Sequence, residues 1–152
     1  MERMQSTWEH VVEHDLSESG VAPLSASELF ADDPDALERA LRLPLGYAQG
    51  NGHEALREAI ASFYPGAGPE NVCVTTGTSE ANFLTLLSLV EPGDRVVVVL
   101  PAYMQVHGWA QGLGAEVVAL WLEERLGWQL DPAALRAVRG AKVVYVDRKS
   151  VV

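Results

Sequence analysis

Three adjacent residues with anion-binding chemistry, Gly77, Thr78 and Ser79, stand where the sequence changes from an apolar run to a helical pattern. A glycine turn between a strand and a helix is expected there. The first N–H groups of such a helix have no partner within it, and the helix dipole adds partial positive charge. Together with the hydroxyl groups, including that of Thr76, this predicts a phosphate-binding turn. The alternative is that Thr78 or Ser79 only caps the helix, with Glu80 supporting the cap.

The residues around this turn limit which phosphate-containing ligand it could bind. A single glycine matches neither the G-x-G-x-x-G nor the G-x-x-x-x-G-K-[ST] pattern. A dinucleotide site also needs an acidic residue at the end of the next strand, but that strand ends in LPAY, residues 100–103. Tyr103 instead brings an aromatic ring to the carboxyl end of the sheet, where open α/β folds bind ligands. These residues favour a small, flat, phosphorylated ring over a nucleotide or S-adenosylmethionine, which remains the alternative.

The elements that would position these residues form an alternating pattern. Four apolar runs, NVCVTT, RVVVVL, AEVVALWL and AKVVYV, are typical of strands. Helical patterns separate them, namely SEANFLTLLSLV, AYMQVHGWAQGLG and DPAALRAVR, and another, NGHEALREAIASFY, precedes the first run. Strands that are apolar at successive positions are covered on both faces, so we predict an α/β fold in three layers, with a mostly parallel sheet between helices. The regular pattern occupies residues 47–146. Residues 1–46 are predicted to be an N-terminal arm and small-domain segment, with Asp33 as the N-cap of one helix.

The composition excludes several classes of function. The formal charge is −10, with only two lysines among 152 residues, which argues against binding to nucleic acid. No apolar run reaches the length of a membrane helix, and the N-terminus lacks a secretory h-region, so we expect a cytoplasmic protein without membrane partners. The single cysteine, Cys73, is predicted to be a packed thiol and not a nucleophile. Trp109, Trp121 and Trp128 are likewise predicted to pack.

A zinc site is a distant alternative. The sequence HVVEH, from His10 to His14, fits the H-x-x-E-H pattern of a class of zinc peptidases. Residues four apart on a helix share a face and could bind one metal ion, but a third protein ligand is not evident. We therefore predict no metal site.

Several motifs in order resemble the N-terminal part of fold-type I, pyridoxal-phosphate-dependent aminotransferases of class I/II. They are Y-x4-G-x3-LR-x-A-I from Tyr47 to Ile60, then ENV-x-VT-x-G-x-x-EAN, EPGD-x-VVV-x-x-P-x-Y and KVVYV. The resemblance implies pyridoxal 5′-phosphate as the cofactor, an amino acid and a 2-oxo acid as substrates, and a homodimer in the full-length form. Other enzymes of this fold are C–S lyases, cyclases or decarboxylases, so these activities, and a non-catalytic fragment, remain alternatives.

The resemblance also implies roles for individual residues. Gly77, Thr78 and Ser79 match the turn that holds the cofactor phosphate, and Tyr103 matches the ring that stacks on the pyridine. Tyr47 matches a tyrosine whose hydroxyl reaches the cofactor phosphate of the other subunit.

Gly20 is the weakest assignment: it lies near the loop that, in the family, passes close to the substrate carboxylate.

The catalytic lysine of the family has no match in this chain. The lysine that forms the Schiff base lies, in the family, beyond position 152 of this sequence. Lys142 opens a strand and is predicted to be an exposed edge residue. The chain by itself is therefore expected to be inactive.

The last six residues, DRKSVV, depart from the family, which continues with an asparagine- and proline-rich loop. The same hexapeptide results from translating the start of a common sequencing adapter. We expect residues 147–152 to be a non-native tail, which sequencing the source DNA across the Val146 codon would test. In the family, the neighbours of the strand at 72–76 are encoded later. We therefore predict a three-stranded sheet from strands at 95–100, 115–121 and 142–146, with the first strand exposed or mispaired.

Overall fold

The computed structural model describes residues 6–14 and 21–147, and the chain divides into two compact units, Met1–Gln49 and Gly50–Val152. The first unit contains helices α1 (Ala26–Leu29) and α2 (Pro34–Leu41). Asp33 occupies the N-cap position of α2 as predicted, but its side chain makes no capping hydrogen bond. Its carboxylate instead accepts a hydrogen bond of 2.6 Å from Arg39 Nη2, so the ion pair replaces the cap.

The described part of the second unit contains three α-helices: α3 (Glu54–Ala61), α4 (Gly77–Leu89) and α5 (Gln105–Gly112). The segment Pro132–Val138 was expected to be an α-helix but is a 3₁₀ helix, with Asp131 Oδ1 accepting a 2.8 Å hydrogen bond from the N–H of Ala133. The helical patterns at α3, α4 and α5 are confirmed. Within the two described ranges, no helix is long and apolar enough to cross a membrane.

The sheet of the second unit has three parallel strands in the order β2–β1–β3. They are β1 (Arg95–Leu100), β2 (Glu116–Trp121) and β3 (Val143–Tyr145), which confirms the predicted three-stranded sheet. The central strand β1 is paired with β2 over six positions, from Arg95 opposite Glu116 to Leu100 opposite Trp121. Because all three strands run the same way, their carboxyl ends meet at one edge, where ligands of open α/β sheets bind.

Both faces of β1 are buried, as its continuous apolar sequence predicts. On one face, Val96, Val98 and Leu100 pack against Leu86 of α4 and its C-cap residue Val90, and against Val106 and Ala110 of α5. Val97 and Val99 pack on the other face against Leu120 and Leu122, with Leu130, Ala134 and Val138 around them. The core thus anchors both helices whose first turns face the ligand-binding edge.

The first apolar run is the exception. Residues 72–75 form no strand, so the prediction of a fourth strand is wrong, and with it the expectation that this strand would lie at an exposed edge or be mispaired. Val74 donates its N–H to the carbonyl of Asn51 at 3.0 Å. Cys73 is exposed, so the predicted packed thiol is also wrong. A run of this kind buries its side chains only when neighbouring strands pair with its backbone.

Candidate functional site

The turn that opens α4 has the conformation expected of a ligand cradle. Gly77 has φ +80°, in the left-handed region where a side chain is strained. A Cβ atom at this position would meet no atom within 4 Å, so the surface of the turn is open. Glycine is therefore required here by the backbone conformation and not by crowding.

The first turn of α4 presents donors that have no acceptor. Thr76 is the N-cap and makes no side-chain cap, while Thr78 and Ser79 lie inside the first turn, so the alternative in which either hydroxyl caps the helix does not hold. The Glu80 carboxylate does support the start of the helix, because it accepts the N–H of the N-cap residue Thr76. Across residues 6–14 and 21–147, no hydrogen bond takes up the N–H of Thr78 or of Ser79. These two amides and two exposed hydroxyls are free to bind an anion.

A side-chain contact links this turn to the next helix. Gln105, the first residue of α5, donates a hydrogen bond of 2.9 Å from Nε2 to Oγ of Ser79. Sequence reasoning did not identify Gln105, because the contact spans 26 positions and no local pattern marks it. The only available signal was its place two residues after Tyr103.

Tyr103 lies at the carboxyl edge of the sheet, as predicted. It follows β1 and is half-buried, and its N–H donates to Oδ2 of Asp147, beyond the end of β3, at 2.9 Å. Burial raises the pKa of the neighbouring Tyr145 hydroxyl, and the charges of Asp147 and Tyr103 raise it further. The ends of β1 and β3 are thus joined at the carboxyl edge of the sheet by Asp147, the first residue of the tail that is expected to be non-native.

Two predicted site residues do not belong to the described part of the second unit. Tyr47 belongs to the first unit and is fully exposed. Gly20 lies outside the described residues.

The zinc alternative fails on geometry. Residues 9–11 form a turn and residues 13–14 a bend, so no helix carries both His10 and His14. No group of three or more potential metal ligands of the His, Cys, Asp or Glu type occurs in the described part of the chain.

Lys142 lies at the opposite, amino edge of the sheet. It precedes β3, its side chain is exposed as predicted, and its Nζ is 2.7 Å from Oδ2 of Asp94. An ammonium group at the amino ends of the strands is remote from ligands held at their carboxyl ends. Lys142 is therefore not a candidate for the catalytic lysine.

Comparison with known proteins identifies the family. Residues 25–148 match the family described as aminotransferase class I and II. The chain belongs to the class I and II aminotransferases. It is 40% identical over 127 residues to capreomycidine synthase from Streptomyces vinaceus, covering 82% of this chain and 32% of that enzyme. It is 32% identical to the valine–pyruvate aminotransferase of Mycobacterium tuberculosis, covering 77% and 33%.

Solved structures of related enzymes share the fold. A PLP-dependent aminotransferase from Streptococcus suis matches with a TM-score of 0.85 and 32% identity, over 94% of this chain and 40% of that one. The PLP-dependent cyclase OrfR matches with a TM-score of 0.79 and 31% identity, over 95% and 38%. The chain thus spans 32–40% of the length of these four relatives.

Membership of the class I and II aminotransferases implies pyridoxal 5′-phosphate as the cofactor. The residues of the turn fit such a group. A phosphate monoester carries nearly two negative charges and three acceptor oxygens. The unpaired N–H groups of Thr78 and Ser79, their hydroxyls and the open surface at Gly77 supply complementary donors at the positive end of α4.

Proposed function

We propose that this chain forms the part of an aminotransferase that binds the phosphate and the ring of pyridoxal 5′-phosphate, in an enzyme that moves an amino group between an amino acid and a 2-oxo acid. The observation that carries the proposal is the pair of unpaired amide groups at Thr78 and Ser79, next to the open turn at Gly77. An anion is the ligand that such a helix start binds best.

Each predicted residue has a distinct task in this proposal. The N–H groups and hydroxyls of Thr78 and Ser79 bind the phosphate oxygens, and Gly77 allows their close approach. The ring of Tyr103 lies against the cofactor ring and sets its plane, since aromatic pairs prefer offset or edge contacts at a defined separation. When bound, the cofactor supplies an electron sink that stabilises negative charge on the substrate.

Tyr47 and Gly20 act, in the proposal, outside the cluster at the sheet edge. Tyr47 is fully exposed, which agrees with a hydroxyl that reaches the phosphate held by the other subunit of a homodimer. Gly20 is assigned to the loop near the substrate carboxylate. Both assignments rest on the family pattern at these positions and belong to the full-length enzyme.

A second candidate is a cyclisation on the same cofactor. It is favoured by the match to the PLP-dependent cyclase OrfR. Both candidates use the same phosphate turn, so that turn does not distinguish them. The discriminating measurement is product analysis of an enzyme that contains this segment: transfer to a 2-oxo acid yields a new amino acid, whereas cyclisation needs no 2-oxo acid.

The binding function is tested on the chain directly. Pyridoxine 5′-phosphate and pyridoxine are suitable probes, because they lack the aldehyde and cannot form an imine with Lys142 or Lys149. We expect the phosphorylated probe to bind at least roughly tenfold more tightly, since charge-assisted hydrogen bonds each contribute about 1.5–3 kcal/mol. Equal dissociation constants for the two probes in equilibrium dialysis would refute the proposal.

We also propose that the chain by itself does not transaminate. No lysine in it matches the one that forms the Schiff base, and Lys142 is paired with Asp94 at the far edge of the sheet. Incubation with pyridoxamine 5′-phosphate and a 2-oxo acid should release no amino acid above the rate without protein. Catalysed release would overturn this part of the proposal.

A further inference from the structure

The contact between Gln105 and Ser79 sets the direction in which the Ser79 hydroxyl can donate. A serine hydroxyl has one proton to donate and two lone pairs that accept. Because Nε2 of Gln105 donates to Oγ of Ser79 at 2.9 Å, it occupies a lone pair and leaves the Ser79 proton free. The free proton can then point to an anion at the start of α4.

We propose that Gln105 is a positioning residue for the phosphate site: its side-chain amide holds Ser79 as a hydrogen-bond donor to the phosphate and ties the turn at Gly77 to the helix that follows Tyr103. This inference rests on the proposed binding of the cofactor phosphate. It assigns Gln105 a task that acts through Ser79 and requires no contact between Gln105 and the ligand.

The surroundings of the amide favour this orientation over the reverse. Oε1 of Gln105 is buried and has no hydrogen-bond partner among the described residues. If the amide were turned round, Oε1 would accept the Ser79 proton and the NH₂ group would be buried without an acceptor. Buried orphaned N–H groups are rarer in proteins than under-satisfied carbonyl oxygens, so the observed orientation is the less costly one. It is also the one that leaves Ser79 able to donate.

Gln105 is held firmly enough to act as a support. It opens α5, whose next residue, Val106, is 1% exposed, and Ala110 one turn later is fully buried. Both side chains belong to the cluster that packs α5 on the sheet together with Leu86 of α4. A side chain mounted on an anchored helix orients its partner more precisely than one on a loop.

The test is a double-mutant cycle on binding of pyridoxine 5′-phosphate, with pyridoxine as the unphosphorylated probe. Gln105→Met removes the donor at nearly constant volume. We expect a roughly three- to tenfold loss of affinity for the phosphorylated probe, which corresponds to the contribution of one neutral hydrogen bond, and less than about a twofold change for pyridoxine.

Gln105→Glu should weaken binding further, since its carboxylate accepts the Ser79 proton and repels the phosphate. Gln111→Met, an exposed substitution on the same helix, is the matched control and should change neither constant.

The double-mutant cycle shows whether Gln105 acts through Ser79. In a Ser79→Ala background, Gln105→Met should cause less than about a twofold further loss, because the hydroxyl it positions is gone. Additive losses, or equal losses for both probes, would overturn the inference while leaving the phosphate site intact. If the wild-type chain does not prefer the phosphorylated probe, the proposed function fails and this inference fails with it. Thermal unfolding identifies variants that do not fold, and Gln105→Ala, which also removes the donor without adding a charge, replaces Gln105→Met in that case.

Discussion

The ammonium group of Lys142 lies 2.7 Å from the carboxylate of Asp94 and joins the starts of two neighbouring strands. Asp94 directly precedes β1 and Lys142 directly precedes β3. The backbone supports the same junction, because the N–H of Lys142 donates to the carbonyl of Arg95 at 2.8 Å. The ion pair therefore reinforces the register of β3 on β1 at the edge of the sheet away from the ligand site.

The pair predicts a pH dependence at both ends of the range. The hydrogen bond from Lys142, followed by one from the N–H of Glu91, lowers the pKa of Asp94, and the hydrogen bond to Asp94 raises the pKa of Lys142. The Asp94 contribution is present above the unfolded pKa of aspartate, about 3.9, and is lost as pH falls through the lower folded pKa. The Lys142 contribution is present below the unfolded pKa of lysine, about 10.4, and is lost as pH rises through the higher folded pKa.

Lys142→Met should raise the pKa of Asp94 toward its ordinary value in an NMR titration, whereas Lys142→Arg should leave that pKa lowered. No difference between the two variants would contradict the prediction.

Gly77→Ala should destabilise the second unit by about 1 kcal/mol, because an alanine is strained at φ +80° although it has open space. It should also weaken binding of pyridoxine 5′-phosphate. Gly108→Ala is the matched control. Gly108 lies within α5, and a Cβ atom added there would meet no atom within 4 Å, so this substitution should stabilise the folded state by about 0.5–1 kcal/mol. Free energies of unfolding from urea titrations provide the comparison, and changes of the same sign at both positions would argue against backbone strain at Gly77.

Tyr103→Ala should weaken binding of pyridoxine 5′-phosphate and of pyridoxine by the same factor, roughly fivefold, since the lost contact is with the ring and not with the phosphate. Tyr103→Phe retains the ring and should change either constant by less than about twofold. The exposed Tyr64 supplies a control at Tyr64→Ala. A selective loss for the phosphorylated probe would place Tyr103 at the phosphate instead of the ring.

Val98→Ala should cost about 2 kcal/mol in the free energy of unfolding, because Val98 is fully buried in the centre of β1 and its removed methyl groups leave a cavity. Val144→Ala in β3 removes the same atoms from a side chain that is 42% exposed and should cost less than about 0.5 kcal/mol. Equal costs would mean that the sheet described above is not the folded core in solution.

The exposed side of α4 predicts binding of a hydrophobic dye. Phe83, Leu84, Leu87 and Leu89 are exposed on this helix, while Leu86 is buried against the sheet. A helix that is apolar on all sides normally lies inside a protein, so this surface should bind the dye under native conditions. Leu87→Lys should reduce the dye fluorescence without lowering the free energy of unfolding. A wild-type chain that unfolds cooperatively and binds no dye would contradict the prediction.

Much of the site could be predicted from the sequence because its parts are local. The turn at Gly77 needs only a glycine between an apolar run and a helical pattern, and the buried strand β1 needs only five successive apolar residues. Tyr103 follows that strand by three positions, so its place at the carboxyl edge also follows from chain order. The order of these motifs was enough to recognise the family.

The remaining features depend on residues far apart in the chain. Trp109 packs edge-on against Phe83 of α4, whereas Trp121 and Trp128 are exposed, so the prediction that all three pack is wrong for two of them. The same side chain can be buried or exposed according to which element lies opposite it, and no local pattern records that.

The sequence by itself determined helices α3, α4 and α5, the glycine turn, three of the four predicted strands and the family, since each follows from spacing within a short segment. Only the tertiary structure decided that residues 72–75 remain outside the sheet, that Lys142 pairs with Asp94, and that Gln105 meets Ser79. The physical reason is that each of these depends on strand register and helix packing, which bring together groups separated by between 23 and 48 positions.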